Sequence, residues 1–392
     1  MKKSSKLLCM LLALVMVVSL LPVMAFAADE DIAAEEVVPA SVEEISPETA
    51  GIITDVFAKL PNYLVVVKTP WGMLAKGAQV VLYNQNSNTI VASEIATYGV
   101  AVFTKDQRQN AYTMSATWTQ KETGLTFKSA PRISVGKTLD MDVITVHPTF
   151  RIGLKDTDHN AYISGYPDGL VRPNNTLTRA EAAQIIFELM TDESKAQYAK
   201  KTGKTFIDVG KDHWAYEAIT MMTKASVLVG VGDGRFDPDA VMTREQFATI
   251  IAQLFMIEIN QPIGGFIFKD LNGGFADKYI SFLYMLGILE GKGDNMFGPK
   301  DSLTRAQAIT VVNKLIGRLP GEGTTSFGAV ADQMKTWPDN MDTTAWYYAA
   351  IQEATNSHDY TLDVNFNTFE DLKGDIFQNI KHPVTERWTL IR

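Results

Sequence analysis

Three arginines recur at matching positions in this chain. Arg179, Arg244 and Arg305 are separated by 65 and 61 residues, and each follows a threonine (Thr178, Thr243, Thr304) at the head of a stretch with helical apolar spacing. Free backbone N–H groups and the helix dipole make the first turn of a helix favourable to an anion. A guanidinium there adds a planar fork matched to a carboxylate or phosphate. Anion recognition is therefore the chemistry this spacing offers. The alternative is that each arginine pairs with a nearby aspartate and pins a turn, and the residues alone leave both open.

The arginines belong to a larger repeat. Residues 162–190, 227–255 and 288–316 align without a gap, and Gly165, Gly230 and Gly291 keep the same offsets as the arginines. Self-similarity with a period of about 60 residues marks a tandem array of supersecondary units. Each copy runs from a glycine-bearing turn through a proline (Pro173, Pro238, Pro299) to a threonine with Glu181, Gln246 or Gln307 three residues on. That is a capping box, so a helix is predicted to start at each arginine. Upstream of the later copies, Phe206-Ile-Asp208 leads into a helix bearing Trp214, and Phe268-Lys-Asp270 leads into one bearing Phe275. The first copy lacks this element, and at the far end of the chain Trp337-Pro-Asp339 is followed by a run in which Trp346 to Ile351 reproduces the spacing of Trp214 to Ile219. Unpaired amphipathic helices at the two ends would expose apolar surface at about 25 cal/mol per Å2. A closed ring is therefore expected, with the Trp346 helix packing beside the Arg179 helix.

Tyr166-Pro-Asp-Gly169, Thr178-Arg-Ala-Glu181, the Phe-x-Asp entry and His213-Trp-Ala215 together resemble the S-layer homology family of bacterial surface proteins. The resemblance covers roughly residues 150–360. It implies an all-α array, a pseudo-threefold helical bundle, following the N-terminal module. It also implies grooves that bind the acidic, often pyruvylated, secondary polysaccharide of a Gram-positive-type cell wall. Carried over to this chain, the groove residues are Arg179, Arg244, Arg305, Gly165, Gly230, Gly291, Asp168, Asp233, Trp214 and Trp346. The third turn departs most from the pattern, with Asp294-Asn295 for Asp-Gly and Phe275 for Trp, and Glu245 stands where the family has Ala.

The rest of the chain frames this array. A basic start, an apolar run from Leu7 and Ala25-Phe-Ala27 read as a secretory signal over residues 1–27. Cleavage there removes Cys9, the one cysteine, and with it any disulfide or thiolate chemistry. Residues 28–50 are rich in Ala, Glu, Val and Pro and read as a flexible acidic linker. Short alternating runs across 51–148 predict an antiparallel β-sandwich. Gly77-Ala-Gln-Val-Val-Leu-Tyr83 and Gly99-Val-Ala-Val-Phe103 resemble carboxypeptidase-regulatory and adhesin-type sandwiches. Some adhesins of that kind carry a Lys–Asn cross-link helped by an acid, for which Lys68 and Glu94 are the candidates. The last strand offers Asp140 and Asp142 instead of Asn, so these read as solvated strand residues. The predicted units are then 149–205, 206–267 and 268–330, with 331–392 supplying the closing helix.

A formal charge of −9 argues against nucleic acid as a partner. The histidines at 147, 159, 213, 358 and 382 show no paired metal spacing, and no metal or cofactor is predicted. Asp156-Thr-Asp158-His-Asn160 imitates an EF-hand start but lacks the later Gly and Glu. Gly230-Val-Gly232-Asp-Gly234 belongs to the repeat turn and not to a phosphate loop. No serine elbow appears. The expected function is a non-catalytic, secreted wall-anchored protein with no membrane span after signal cleavage. Alternatives are a self-associating S-layer lattice subunit and, behind it, an enzyme of wall glycan metabolism.

Overall fold

A computed structural model describes residues 62–392, apart from 71–73, 85–88, 97–98, 122, 130–132, 136–140, 157, 256–258, 260–266, 319, 322, 325 and 365–383. The expected signal sequence, the acidic linker and Asp140 lie outside the described residues. Among the described residues, no helix is long and apolar enough to cross a membrane.

The N-terminal part is β-rich and holds two sheets. In the first, β1 (Asn62–Lys68) lies between β4 (Val100–Thr104) and β8 (Met141–Thr145). The second runs β3 (Ile90–Ala96), β2 (Ala78–Tyr83), β5 (Thr113–Thr119), β6 (Thr126–Lys128), β9 (His147–Pro148), with β7 (Ile133–Ser134) also on β5. Period-two burial carries Val80 and Leu82 of β2 and Met114, Ala116 and Trp118 of β5 into the core. The expected antiparallel sandwich needs correction here, because β1 and β8 pair in parallel, Leu64 opposite Met141 and Lys68 opposite Thr145. The chain crosses through the second sheet between β4 and β8, and a long crossover permits a parallel return. A short helix, α1 (Lys105–Asn110), closed by a Thr104–Gln107 capping box, follows β4.

The repeat region contains α2 (Arg179–Leu189), α3 (Asp192–Ala199), α4 (Tyr216–Lys224), α5 (Arg244–Gln253), α6 (Asp277–Met285), α7 (Arg305–Leu315) and α8 (Tyr348–Thr355), with a 3-10 turn at Gly328–Gln333 before α8. The three arginine helices start at complete capping boxes. The array is nevertheless not all-α, and the expected helical bundle is overturned. Extended backbone joins the units: Leu177 N donates to Leu303 O (2.8 Å), Leu303 N to Met242 O (2.9 Å) and Met242 N to Leu177 O (2.8 Å). Bridges pair Thr176 with Thr304, Thr178 with Val241 and Thr243 with Ser302. The reason lies in the N-caps. A cap threonine holds extended dihedrals, near −89° and 164° at Thr178. The residue before it is buried in every unit (Leu177, Met242, Leu303), so its backbone groups must find partners away from water. A hairpin of β10 (His358–Val364) and β11 (Val384–Ile391) adds further sheet at the end.

Each capped helix packs on the entry helix of the next unit: α2 on α4, α5 on α6 and α7 on α8. The expectation that the Trp346 helix lies beside the Arg179 helix is thus corrected, since α8 lies against α7. Contact with the first unit is made differently. Tyr162 N and Ile163 N both donate to Ala354 O, at 3.0 Å each.

Candidate functional site

The glycine turns are held from both sides. From within the unit, an entry aspartate accepts two backbone N–H groups beyond the turn. Asp208 takes those of Phe236 (2.9 Å) and Asp237 (2.8 Å), and Asp270 those of Phe297 (2.9 Å) and Gly298 (2.7 Å). Asp339 takes those of Val171 (3.0 Å) and Arg172 (2.7 Å). Burial pulls the Asp208 and Asp270 carboxyls upward, but these N–H groups outweigh it and hold both below the ordinary aspartate value. The entry aromatic lies on the turn glycine. A Cβ on Gly230 or Gly291 would stand 2.6 Å from Phe206 or Phe268, and one on Gly165 would stand 2.1 Å from Trp337. The turn glycines therefore permit close packing of a ring against backbone.

From the preceding unit, the arginine closes the other side. Arg179 Nε donates to Phe236 O (2.9 Å) and Nη2 to Val229 O (2.7 Å), with its guanidinium 4.6 Å above the Phe236 ring. Arg244 does the same one unit on, to Phe297 O (2.8 Å) and Glu290 O (3.1 Å), 4.4 Å above Phe297. Arg305 returns to the first unit, where Nε donates to Val171 O (3.1 Å) and the guanidinium lies 4.8 Å from Tyr166.

The first-turn N–H groups expected to be free are not. Arg179 N and Ala180 N donate to Ala240 O and Pro238 O, and Arg244 N and Glu245 N to Asp301 O and Pro299 O. Arg305 N and Ala306 N donate to Asn175 O and Pro173 O. The next two N–H groups of each helix go to the cap threonine. Any anion must therefore meet the guanidinium, not the helix end. Nη1 of Arg179 and of Arg244 has no hydrogen bond among the described residues. Burial pushes both guanidinium groups below the usual arginine value, with nearby aspartates opposing it, and both remain cations.

Arg305 differs. It is buried, and its Nη1 pairs with Glu181 Oε1 at 3.2 Å. Tyr166 Oη donates to the same carboxylate. Gln246 and Gln307 occupy the Glu181 position in the other units, so only the first unit supplies this negative charge. Glu181 and Tyr166 were legible as motif letters, but their joint neutralisation of an arginine 124 residues away was not.

The remaining candidate residues spread around the turns. Asp168 is exposed and pairs with Arg172 at 2.6 Å, while Arg172 lies over Tyr166 at 4.2 Å. Asp233 sits at φ 49° and Asp294-Asn295 at 49° and 58°. Asp and Asn tolerate this left-handed region, so the altered third turn keeps its shape. Trp214, Phe275 and Trp346 are all well exposed, at 61%, 58% and 64%. None serves as the ring beneath an arginine. Trp214 stacks on His213, Trp346 meets Tyr347 edge to face, and Lys300 Nζ lies 5.9 Å from Phe275. Lys300 also pairs with Glu245 at 2.5 Å, which gives the unexpected glutamate a partner in the next unit. Exposed Ile207, Val229 and Val231 flank the second turn, and sequence reasoning passed them over.

The S-layer homology domain family matches residues 158–183, 205–248 and 267–309. This chain carries three S-layer homology segments. It is 34% identical over 213 residues to a cellulosome-anchoring protein of Acetivibrio thermocellus, covering 53% of this chain and 45% of that one. It is 31% identical over 232 residues to cell surface glycoprotein 1 of the same organism, covering 56% and 9% respectively. With an uncharacterized cell wall amidase of Bacillus anthracis it shares 31% identity over 152 residues, 38% of this chain and 27% of the amidase. The chain thus spans less than half the length of each of these relatives. The three arginines and their turns lie within the matched segments, while Trp337 and Asp339, which hold the first turn, and the N-terminal β-rich part lie outside them.

Proposed function

We propose that this chain is a non-catalytic, exported cell-surface protein whose S-layer homology segments hold it to an acidic wall polysaccharide while the β-rich module is displayed. The carrying observation is that, among the described residues, Arg179 and Arg244 each keep a guanidinium Nη1 without a carboxylate partner, beside a turn of the next unit. Around those turns, the exposed Trp214 and Phe275 offer faces for sugar rings, and Lys300 adds positive charge near Phe275. The first turn contributes Arg172 and Trp346, but its Arg305 is compensated by Glu181, so it binds more weakly. In this reading Gly165, Gly230, Gly291, Asp168 and Asp233 shape the turns. Residues 331–392 complete the first unit through Asp339 and Ala354. The names of an anchoring protein and a surface glycoprotein among the relatives support the same role.

The test is sedimentation with wall sacculi. The purified protein should pellet with intact sacculi and stay in solution after the acidic polymer has been extracted. Equal pelleting before and after extraction would refute the proposal.

A further inference from the structure

Away from the turns, one cluster of ionisable side chains is buried. His159 precedes the first turn, Glu353 lies in the last turn of α8 and His358 begins β10. Their side chains are 2%, 0% and 0% exposed. His159 Nδ1 lies 3.0 Å from His358 Nε2 and 3.1 Å from Glu353 Oε1, and His358 Nε2 lies 3.4 Å from Glu353 Oε2. Around a tetrahedral ion with bonds of about 2.0–2.1 Å, adjacent ligand atoms stand about 3.3 Å apart. Three residues thus already hold donor atoms at ligand spacing.

The donors also face the right way. His358 Nδ1 is 3.0 Å from Asn356 O, which calls for the proton on Nδ1 and leaves a lone pair on Nε2 in the neutral ring. The Glu353 carboxyl is fully buried, and besides the two imidazoles the Trp388 indole and the Arg318 guanidinium face it. Stacking fixes both rings: Trp388 lies 3.7 Å from His358, and Tyr360 lies 3.8 Å from His159. Arg318 is the competing partner, with Nη1 3.9 Å from Glu353 Oε1. Its Nη1 and Nη2 donate to Asn160 O (2.9 Å) and Asp158 O (2.6 Å), so its position follows the segment carrying His159.

We propose that His159, Glu353 and His358 form a structural site for one divalent ion of the zinc class, tying the entry to the first unit, α8 and the C-terminal hairpin together. Two imidazoles and one carboxylate suit zinc, whereas calcium and magnesium want oxygen donors throughout. Sequence spacing gave no hint of it, because the two histidines are 199 residues apart.

The full chain, stripped with a chelator and desalted, should bind one equivalent of added ZnCl2 in calorimetry and melt at a higher temperature with free zinc in excess. Cobalt in place of zinc should give the visible absorption of a tetrahedral N/O site. His358→Gln and Glu353→Gln should each lower the affinity by at least about tenfold, while His213→Gln, at a half-buried histidine outside the cluster, should leave it unchanged. Should a variant fold poorly, the cobalt spectrum of the unaltered chain decides. No saturable binding, no tetrahedral cobalt absorption, or affinity lost with His213→Gln but kept with His358→Gln would overturn the proposal and leave a buried Glu353–Arg318 ion pair.

Discussion

Asp339→Ala should loosen the array at the place where its two chain ends meet. The Asp339 carboxylate accepts Val171 N at 3.0 Å and Arg172 N at 2.7 Å, across 168 and 167 residues of sequence. A hydrogen bond to a charged group contributes about 1.5–3 kcal/mol, and a donor left unsatisfied in the interior costs about as much as it loses. Val171 is fully buried and cannot turn to water, whereas Arg172 is half-buried and recovers part of the loss. The expected destabilisation is therefore about 2–4 kcal/mol, below the sum of two full bonds. Urea unfolding measures it, and native-state hydrogen exchange locates it. Segments 162–175 and 337–355 should lose protection together, while 227–240 keeps its own. Asp208→Ala, the same clamp within continuous chain, should do the reverse. A loss under about 0.5 kcal/mol, typical of an uninvolved surface change, would refute the reasoning. So would deprotection confined to 337–345.

Other outcomes follow from the same geometry. Arg305→Ala breaks the buried pair with Glu181 and should cost about 3–5 kcal/mol of stability, read by thermal melting, whereas Arg179→Ala should lower polymer affinity more than stability. Gly230→Ala would set a methyl 2.6 Å from Arg235 O, a backbone atom, and should destabilise by more than 2 kcal/mol or abolish folding, on the order of overpacking or strain; circular dichroism checks this. The lowered Asp208 and Asp270 values carry a definite sign. The unfolded carboxyls bind protons first as pH falls, so this stability is complete above about pH 4. It disappears as pH drops through the lowered folded values. Asp208→Asn with Asp270→Asn should therefore flatten the acid limb of the stability profile below pH 4.

Much of the repeat was legible because its signals are local. Thr178, Thr243 and Thr304 cap helices that begin where the capping boxes said they would, since cap and partner lie three residues apart. The strands at 78–83 and 100–104 coincide with runs of alternation, and the one at 113–119 overlaps a run at 111–118. What failed was non-local. Leu177 reads as an ordinary apolar residue, yet its backbone pairs with Leu303 and Met242 from the two other units, which makes the array mixed instead of all-α. The parallel pairing of β1 with β8 and the α8–α7 contact depend likewise on how distant segments return. At the site, sequence located the arginines but not their use. It could not show that the helix N–H groups were already taken by neighbouring carbonyls, or that Glu181 would neutralise Arg305. The meeting of His159 with His358 has no local trace at all.

Titration calorimetry with the acidic polysaccharide released from the host wall tests the central claim most directly. The unaltered chain should bind it saturably and less tightly as salt rises, and Arg179→Ala combined with Arg244→Ala should reduce the affinity at least about tenfold, the loss of about 1.4 kcal/mol or more of charge-assisted contact, with the fold intact by circular dichroism. Undiminished affinity in that folded double variant would contradict the account.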